Sequence, residues 1–292
     1  MAVLDDFEMK AVRPDALAPA EIEAKAEAVA IGKTKTPVAK LLVLSMLAGA
    51  FIAFGALYFC VFLGDPSMPF AVQRIVGGLC FSLGLALVLC CGAELFTGNM
   101  LMVCALASKK ITAGAMAKNW TLVWLGNLAG ALVAVALVYF AHIADMNGGG
   151  VGNAMVSVAV SKVTPDWTTL FFKGILCNIF VCLAVWIGFA TRTVVDKVVG
   201  ILLPISAFVA CGFEHCVANM FFLPMGLAAK AAGFGAAVAG AESLTAGSLA
   251  YNLSAATLGN IAGGILIVGV GYWIAYGREA HKHEVEAGKL AE

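Results

Sequence analysis

The sequence predicts an all-α integral membrane protein, on the evidence of composition, apolar segment length and residue periodicity. Of the 292 residues, 62% are hydrophobic and 12% are charged, and the mean hydropathy is +0.95. This is more apolar surface than one soluble core can bury, so the bilayer is the expected solvent. Charge-free stretches near the roughly 20 residues that a membrane helix needs recur along the chain. They lack the two-residue alternation of a membrane β-barrel, which leaves helices as the spanning elements.

Six apolar segments are predicted to cross the membrane: residues 41–63, 75–107, 120–141, 171–190, 198–229 and 256–276. The second and the fifth are about half as long again as one crossing requires. We therefore expect each of these two segments to contain a break in its helix, within Glu94–Asn99 and Glu214–Asn219.

Three regions are expected along the chain. Residues 1–40 hold acids and bases but no apolar core segment, which predicts a cytoplasmic leader rather than a cleavable signal peptide. Within the leader, Pro19 is a suitable start for a short helix with Ile22, Ala26 and Val29 on one face, although a plain disordered tail fits equally well. Residues 41–277 form the channel domain, and residues 278–292 form a cytoplasmic tail.

The basic residues predict the orientation. With both termini placed in the cytoplasm, only Arg74, Lys162, Lys173 and Lys230 fall outside. This bias follows the positive-inside rule. The inside set contains Lys10, Arg13, Lys25, Lys33, Lys35, Lys40, Lys109, Lys110, Lys118, Arg192, Lys197, Arg278, Lys282 and Lys289.

Catalytic and ligand-binding motifs are missing from the sequence. The nine cysteines fall in apolar segments without a CxxC pair, so they are interpreted as packing residues. No phosphate-binding glycine loop, HExxH, GxSxG or dinucleotide fingerprint is present. We predict neither an enzyme nor a bound cofactor or metal, and no nucleic-acid partner.

Two sequence motifs occur twice in the same order. Gly92-Ala-Glu-Leu-Phe-Thr-Gly-Asn-Met100 resembles Gly212-Phe-Glu-His-Cys-Val-Ala-Asn-Met220, and Leu125-Gly-Asn-Leu-Ala-Gly130 resembles Leu258-Gly-Asn-Ile-Ala-Gly263. The chain is thus predicted to consist of two three-helix repeats. Because each repeat has an odd number of crossings, the halves must be inverted relative to each other, as in many transporters and pores.

Each repeated motif places a carboxylate, Glu94 or Glu214, inside an apolar segment, where a charge costs at least about 2.5–3.5 kcal/mol. Such a residue either accepts hydrogen bonds from backbone amides freed at the break or contacts a solute. Thr97 and His215 occupy the breaks where the repeats differ. His215 is either an interhelical hydrogen-bonding residue or a group that exchanges a proton with the solute, which would make transport pH-dependent.

Other candidates are ambiguous from the residues alone. Asn127, Asn178 and Asn260 lie mid-helix, where amide side chains commonly bond between helices. Phe81, Leu85 and Phe208 could narrow a pore or simply fill the core. Lys162 and Lys173 could attract anions or reach towards lipid headgroups.

The chain resembles the formate/nitrite transporter family. The resemblance covers roughly residues 36–278, and its most specific carriers are the two glutamate motifs above, Phe172-Lys-Gly-Ile-Leu-Cys-Asn178 and Leu223-Pro-Met-Gly226. It implies an aquaporin-like fold of six helices with broken second and fifth helices, assembled as a homopentamer with one pore per protomer in the bacterial inner membrane.

The resemblance also implies site roles. His215 is the central pore histidine, Thr97 lies on the loop that interrupts the second helix, and Lys162 stands near the extracytoplasmic entrance. Phe81, Leu85 and Phe208 match the hydrophobic constrictions. The remaining pore or substrate-binding candidates are Asn178, Glu214, Glu94 and Asn260.

The expected substrate is a small monovalent anion, with formate first and nitrite or hydrosulfide as alternatives, moved passively or with protons. An aquaporin-like pore for small neutral solutes is the rival of a different class. It would share the inverted repeat and the broken helices but has no need of a central histidine or an entrance lysine. A membrane-embedded enzyme or sensor is disfavoured by the missing catalytic motifs.

Overall fold

The computed structural model describes residues 16–287. Residues 1–15 of the predicted leader and 288–292 of the predicted tail lie outside the described residues, as do Lys10, Arg13 and Lys289 of the charge pattern. Within the described range the chain is helical, with no strand.

The helices are α1 Pro19–Thr34, α2 Val38–Leu63, α3 Phe70–Cys91, α4 Val103–Ala107, α5 Ala113–Phe140, α6 Gly150–Val163, α7 Trp167–Ala190, α8 Val194–Ala210, α9 Cys216–Ala231, α10 Ala246–Ala262, α11 Val270–Tyr272 and α12 Arg278–Glu286. Short 3₁₀ turns cover Gly98–Met102, Ile143–Asp145 and Ala241–Ser243. Two π-helical stretches, Gly263–Gly269 and Trp273–Gly277, join α10, α11 and α12 into one continuous helix.

Five helices in residues 16–287 are long and apolar enough to cross a membrane: α2, α3, α5, α7 and the continuous helix from Ala246. Two shorter apolar helices, Gly98–Ala107 and α9, accompany them. The chain is therefore an all-helical multi-pass membrane protein. The apolar segment predicted at residues 198–229 is divided between α8 and α9, and neither half alone reaches the length of a full crossing.

The helix is interrupted in both long apolar segments. After α3 ends at Cys91, helical structure resumes at Gly98, and after α8 ends at Ala210 it resumes at Cys216. Gly92 and Gly212 have φ angles of +77° and +70°, a left-handed conformation that glycine adopts without steric cost and that ends a helix.

The second interruption lies earlier than Glu214–Asn219, where the sequence placed it. Gly212 ends α8, and the His215 side chain accepts a hydrogen bond from the backbone N–H of Ala218, which makes His215 the N-cap of α9. Helix therefore begins directly after the histidine, and residues 216–219 are helical.

Helix α1 packs against one end of the transmembrane helices. Ile22 and Ala26 are buried there. Lys25 Nζ donates to the carbonyl of Phe189 at 2.6 Å, and Lys33 Nζ lies 2.6 Å from Glu94 Oε2. α1 thus contacts the channel body directly, next to the first interruption.

Helix α6 had no counterpart in the predicted spans. It is half the length of a crossing and carries Ser, Asn and Lys between its apolar residues, so it does not produce a membrane-helix pattern. It packs against α9 and places Lys162 in its last turn.

Candidate functional site

The two interruptions meet at a buried contact between Thr97 and His215. Thr97 Oγ1 lies 3.0 Å from His215 Nε2, and both side chains are at most 2% exposed. The contact joins residues 118 positions apart in the chain. The two residues at which the repeats differ are therefore the two that touch at the centre of the molecule.

The hydrogen bonds of His215 identify the tautomer of the neutral ring. Nδ1 accepts the N–H of Ala218 at 3.0 Å, so Nδ1 carries no proton. The ring proton then resides on Nε2, which donates to Thr97 Oγ1. A second proton would have to occupy Nδ1 and would displace the cap of α9. His215 is thus held as a hydrogen-bond donor that points at the opposite break.

Aromatic side chains narrow the space beside this contact. The Phe81 and Phe208 ring centroids are 5.6 Å apart in an edge-to-face arrangement, and Phe208 stacks on the His215 ring at 5.8 Å. Phe222 stacks on the other side of Phe81 at 6.2 Å. Leu85 is 2% exposed, one helical turn beyond Phe81 on α3. Phe81 and Phe208 together form an apolar barrier, called here the phenylalanine constriction.

A cavity of about 350 Å³ leads to this constriction. We call it the vestibule. Its inner end is formed by Phe81, Phe208 and His215, whereas its outer part carries polar and charged side chains. The outer residues include Gln73, Arg74, Ser157, Ser161, Lys162 and Lys173. The vestibule connects a polar mouth to the His215–Thr97 contact through the phenylalanine constriction.

Glu214 forms a network beside the vestibule. Both of its carboxylate oxygens lie 3.3 Å from Lys162 Nζ, and Oε2 accepts from Asn219 at 2.6 Å and Asn252 at 3.1 Å. Asn219 also donates to Asn252 Oδ1 at 2.7 Å. We call Lys162, Glu214, Asn219 and Asn252 the Glu214 cluster. With so many donors around a carboxylate that is 3% exposed, the cost of burying its charge is offset.

Glu94 forms a corresponding network at the other interruption. Its Oε2 lies 2.6 Å from Lys33 Nζ and accepts from Asn99 at 3.0 Å. Asn99 also donates to Asn119 Oδ1 at 2.8 Å. We call Lys33, Glu94, Asn99 and Asn119 the Glu94 cluster. Here the lysine comes from α1.

Asn127 and Asn260 hold the backbone at the two interruptions in the same manner. Asn127 Oδ1 accepts the N–H of Phe96, and its amide donates to the carbonyls of Ser45 and Glu94. Asn260 Oδ1 accepts the N–H of Cys216, and its amide donates to the carbonyls of Gly174 and Glu214. Both N–H groups of each amide are used, so neither side chain has a free donor for a solute.

Asn178 also supports the centre from behind. Its amide donates to the carbonyls of Thr97 at 3.2 Å and of Asn260 at 2.7 Å, and its side chain is buried. This geometry favours the interhelical role for Asn178 and Asn260. The residues placed to meet a solute are His215, Thr97, Lys162 and the phenylalanine constriction.

Sequence reasoning missed Lys33, Asn119 and Asn252 as site residues. The asparagines had a usable signal, because Asn119 stands eight residues before Asn127 and Asn252 stands eight residues before Asn260. Lys33 had none beyond its place in the charge count, since only the tertiary fold brings α1 beneath Glu94.

A second group of charged residues lies between α1 and the transmembrane end. Glu27 accepts from the Ser108 hydroxyl and from Lys110 Nζ, the latter at 2.7 Å. Burial, followed by the charge of Glu27, raises the pKa of the Glu23 carboxyl to about 7. No cluster of His, Cys, Asp or Glu suited to a metal ion occurs within residues 16–287.

Comparisons with known proteins agree with this geometry. The sequence model of the family described as Formate/nitrite transporter matches residues 20–274. The Formate channel FocA of Escherichia coli (strain K12) is 42% identical over 286 residues, which cover 94% of this chain and all of FocA. The Probable formate transporter of Methanothermobacter thermautotrophicus is 37% identical over 278 residues, which cover 89% of this chain and 97% of that protein.

Two solved structures are similar in fold. One, described as a pentameric formate channel with formate bound, superposes with a TM-score of 0.72 at 35% identity and covers 82% of this chain and 97% of the other. The second, described as an FNT family ion channel, gives a TM-score of 0.76 at 31% identity and covers 87% of this chain and 98% of the other. The chain therefore belongs to the formate/nitrite transporter family.

Proposed function

We propose that this protein is a channel for small monovalent anions, with formate as its main substrate. The observation that carries the proposal is the vestibule, which passes lysine side chains and ends at the Nε2–H donor of His215 behind an apolar constriction. Similarity to formate channels, at 42% identity to one of them, supports formate as the substrate.

The proposed architecture has six crossings arranged as two inverted three-helix repeats, with α3 and α8 each forming part of a broken crossing. The matched hydrogen bonds of Asn127 and Asn260, and of the Glu94 and Glu214 clusters, support the repeat. Both termini lie in the cytoplasm, in accord with the positive-inside pattern. A homopentamer in the lipid of a bacterial inner membrane fits the pentameric relative.

An anion that enters the vestibule loses water progressively. A bare charge in an apolar passage is costly unless fixed dipoles or hydrogen-bond donors replace its hydration. Lys162 provides a charge near the mouth, and the N-terminal end of α9 points its dipole at the centre. At the constriction, His215 Nε2–H exchanges Thr97 for the anion as its acceptor. Because two amides at the interruptions are already bonded to Asn127 and Asn260, the histidine is the principal side-chain donor there.

Proton coupling belongs to the same site. Formate, nitrite and hydrosulfide are conjugate bases of weak acids, so a proton delivered near His215 neutralises the permeating anion and lowers its transfer cost. We place this exchange at the Nε2 side of the ring, since the Nδ1 side caps α9.

Nitrite and hydrosulfide are the alternative substrates, because size and single charge alone do not separate them from formate. A pore for neutral solutes is the competing class. Its walls would not require Lys162 to face the cavity or His215 to present a donor at its end.

Purified protein in liposomes distinguishes these functions. We expect uptake of formate, and weaker uptake of nitrite and hydrosulfide, at pH 5.5 and 7.5, with acetate and chloride as size and charge controls. Liposomes that swell in a gradient of a neutral solute but take up none of the anions would replace the proposal with an aquaporin-like pore. His215→Phe protein at matched incorporation provides the blocked control.

A further inference from the structure

The vestibule contains more positive charge than the Lys162–Glu214 pair requires. Arg74, Lys162 and Lys173 all line it, whereas Glu214 is the one carboxylate among the lining residues. Glu214 is already paired with Lys162 and is 3% exposed. With neutral His215, two positive charges are left without a carboxylate in the cavity.

Arg74 is fixed in place without being neutralised. Its Nε donates to the carbonyl of Ala210 at 2.7 Å and its Nη2 donates to that of Val209 at 3.2 Å, at the C-terminal end of α8. These carbonyls carry only partial charge, equivalent to about half an elementary charge for a whole helix end. The guanidinium therefore keeps a net positive charge beside Gly212, two residues before Glu214.

Lys173 differs from Lys162 in having a free head group. Its backbone carbonyl accepts the N–H of Glu214 at 3.3 Å, which anchors the residue at the second interruption. Within residues 16–287 its ammonium group forms neither an ion pair nor a hydrogen bond, and the side chain lines the vestibule. A lysine whose role were purely structural would be expected to have an acceptor.

We propose that Lys173 and Arg74 complete, with Lys162, a basic vestibule that binds small anions ahead of the phenylalanine constriction. The inference rests on the proposed function and assigns it a capture step. Charges of one sign along a low-dielectric cleft concentrate counter-ions and raise entry rates by roughly 10- to 1000-fold at low salt. Lys173 supplies the part of this field that no protein carboxylate compensates.

The capture step predicts a specific kinetic effect. Lys173→Gln raises the KM for formate entering through the vestibule by about 3- to 10-fold at low ionic strength, with a smaller change in kcat. The difference shrinks as salt is raised, because the screening length falls to about 8 Å at 0.15 M. Lys173→Arg keeps the charge and retains the wild-type KM. Arg74→Lys is the corresponding charge-preserving variant of Arg74→Gln.

The matched control is Lys40→Gln, which removes one charge from an exposed lysine in the first turn of α2, outside the vestibule. We expect its KM and salt dependence to equal those of the wild type. If Lys173→Gln and Lys40→Gln have the same KM at every salt concentration, Lys173 is not a capture residue and the proposal is wrong.

A second readout separates this inference from the proposed function. Crystals of wild-type protein soaked in sodium bromide should show an anomalous peak between the vestibule side chains, and the peak should be lost in Lys173→Gln. A bromide peak in a protein that transports no formate would overturn the proposed function and leave the anion site in place. Active transport with no peak and an unchanged KM in the variant would overturn the inference alone.

Discussion

The Glu94 cluster and the Glu214 cluster share one hydrogen-bonding plan but obtain their lysines from different parts of the chain. In each, a carboxylate accepts from the asparagine five residues later and from a lysine. Lys162 belongs to α6, which packs among the channel helices, whereas Lys33 belongs to α1, which precedes them.

The difference is visible in exposure. The Glu214 side chain is 3% exposed and that of Lys162 is 12% exposed, against 13% for Glu94 and 19% for Lys33. Asn252 also donates to Glu214, whereas the corresponding Asn119 gives no such bond to Glu94. One cluster is thus an enclosed part of the channel core. The other is completed only when α1 is docked.

The largest expected effect comes from removing the charge of Glu214. Glu214→Gln leaves the buried Lys162 ammonium without its counter-ion, which costs about 3–5 kcal/mol in comparable buried pairs. Glu94→Gln should cost about 1 kcal/mol, because Lys33 can turn towards water. Thermal unfolding of the purified protein in mild detergent measures both, and equal losses in the two variants would show that the clusters are energetically alike.

A smaller effect is expected from Lys33. Lys33→Gln removes the ion pair to Glu94 and should weaken α1 docking by about 1 kcal/mol. Faster amide hydrogen exchange across residues 22–30 would report it. Lys35→Gln is the matched control, since Lys35 ends the same helix but is exposed. An unchanged exchange rate in Lys33→Gln would mean that apolar packing alone holds α1.

The smallest predicted effect is a pH dependence of the same docking. Docked Glu23 holds its proton up to about pH 7, whereas an undocked glutamate loses it near 4.5. The docked state therefore binds more protons between these values, and docking weakens as pH rises from about 4.5 to 7. Hydrogen exchange of α1, corrected for its intrinsic pH dependence, should accelerate over this window. Glu23→Gln should flatten the response, and a wild-type profile in that variant would assign the pH dependence to other groups.

Much of the helical framework was predictable because apolar length reports membrane crossings directly. The interruptions were predictable as well, since α3 with its continuation, and α8 with α9, form apolar segments too long for one helix. The exact second interruption was not, because the cap that His215 makes on α9 is a local side-chain geometry. Helix α6 gave no signal, being short and mixed in polarity.

The site was partly predictable for a related reason. Glu94, Glu214 and His215 stand out as polar residues in apolar surroundings, so their cost alone marks them. Lys33 and Lys173 do not stand out, because their significance depends on which cavity or carboxylate the fold places beside them. The sequence listed Lys173 only as an exception to the charge pattern, and its free ammonium group in the vestibule is a tertiary property.

The central claim is that the permeating anion meets His215, and formate flux at two pH values tests it most directly. At matched incorporation into liposomes, His215→Phe should reduce flux at least about tenfold, because the donor at the constriction is lost. His215→Asn keeps an amide donor and should retain flux while losing the pH dependence of the wild type. If His215→Asn instead keeps the wild-type rate, selectivity and pH profile, His215 serves only to cap α9 and bond to Thr97, and the proposed mechanism is contradicted.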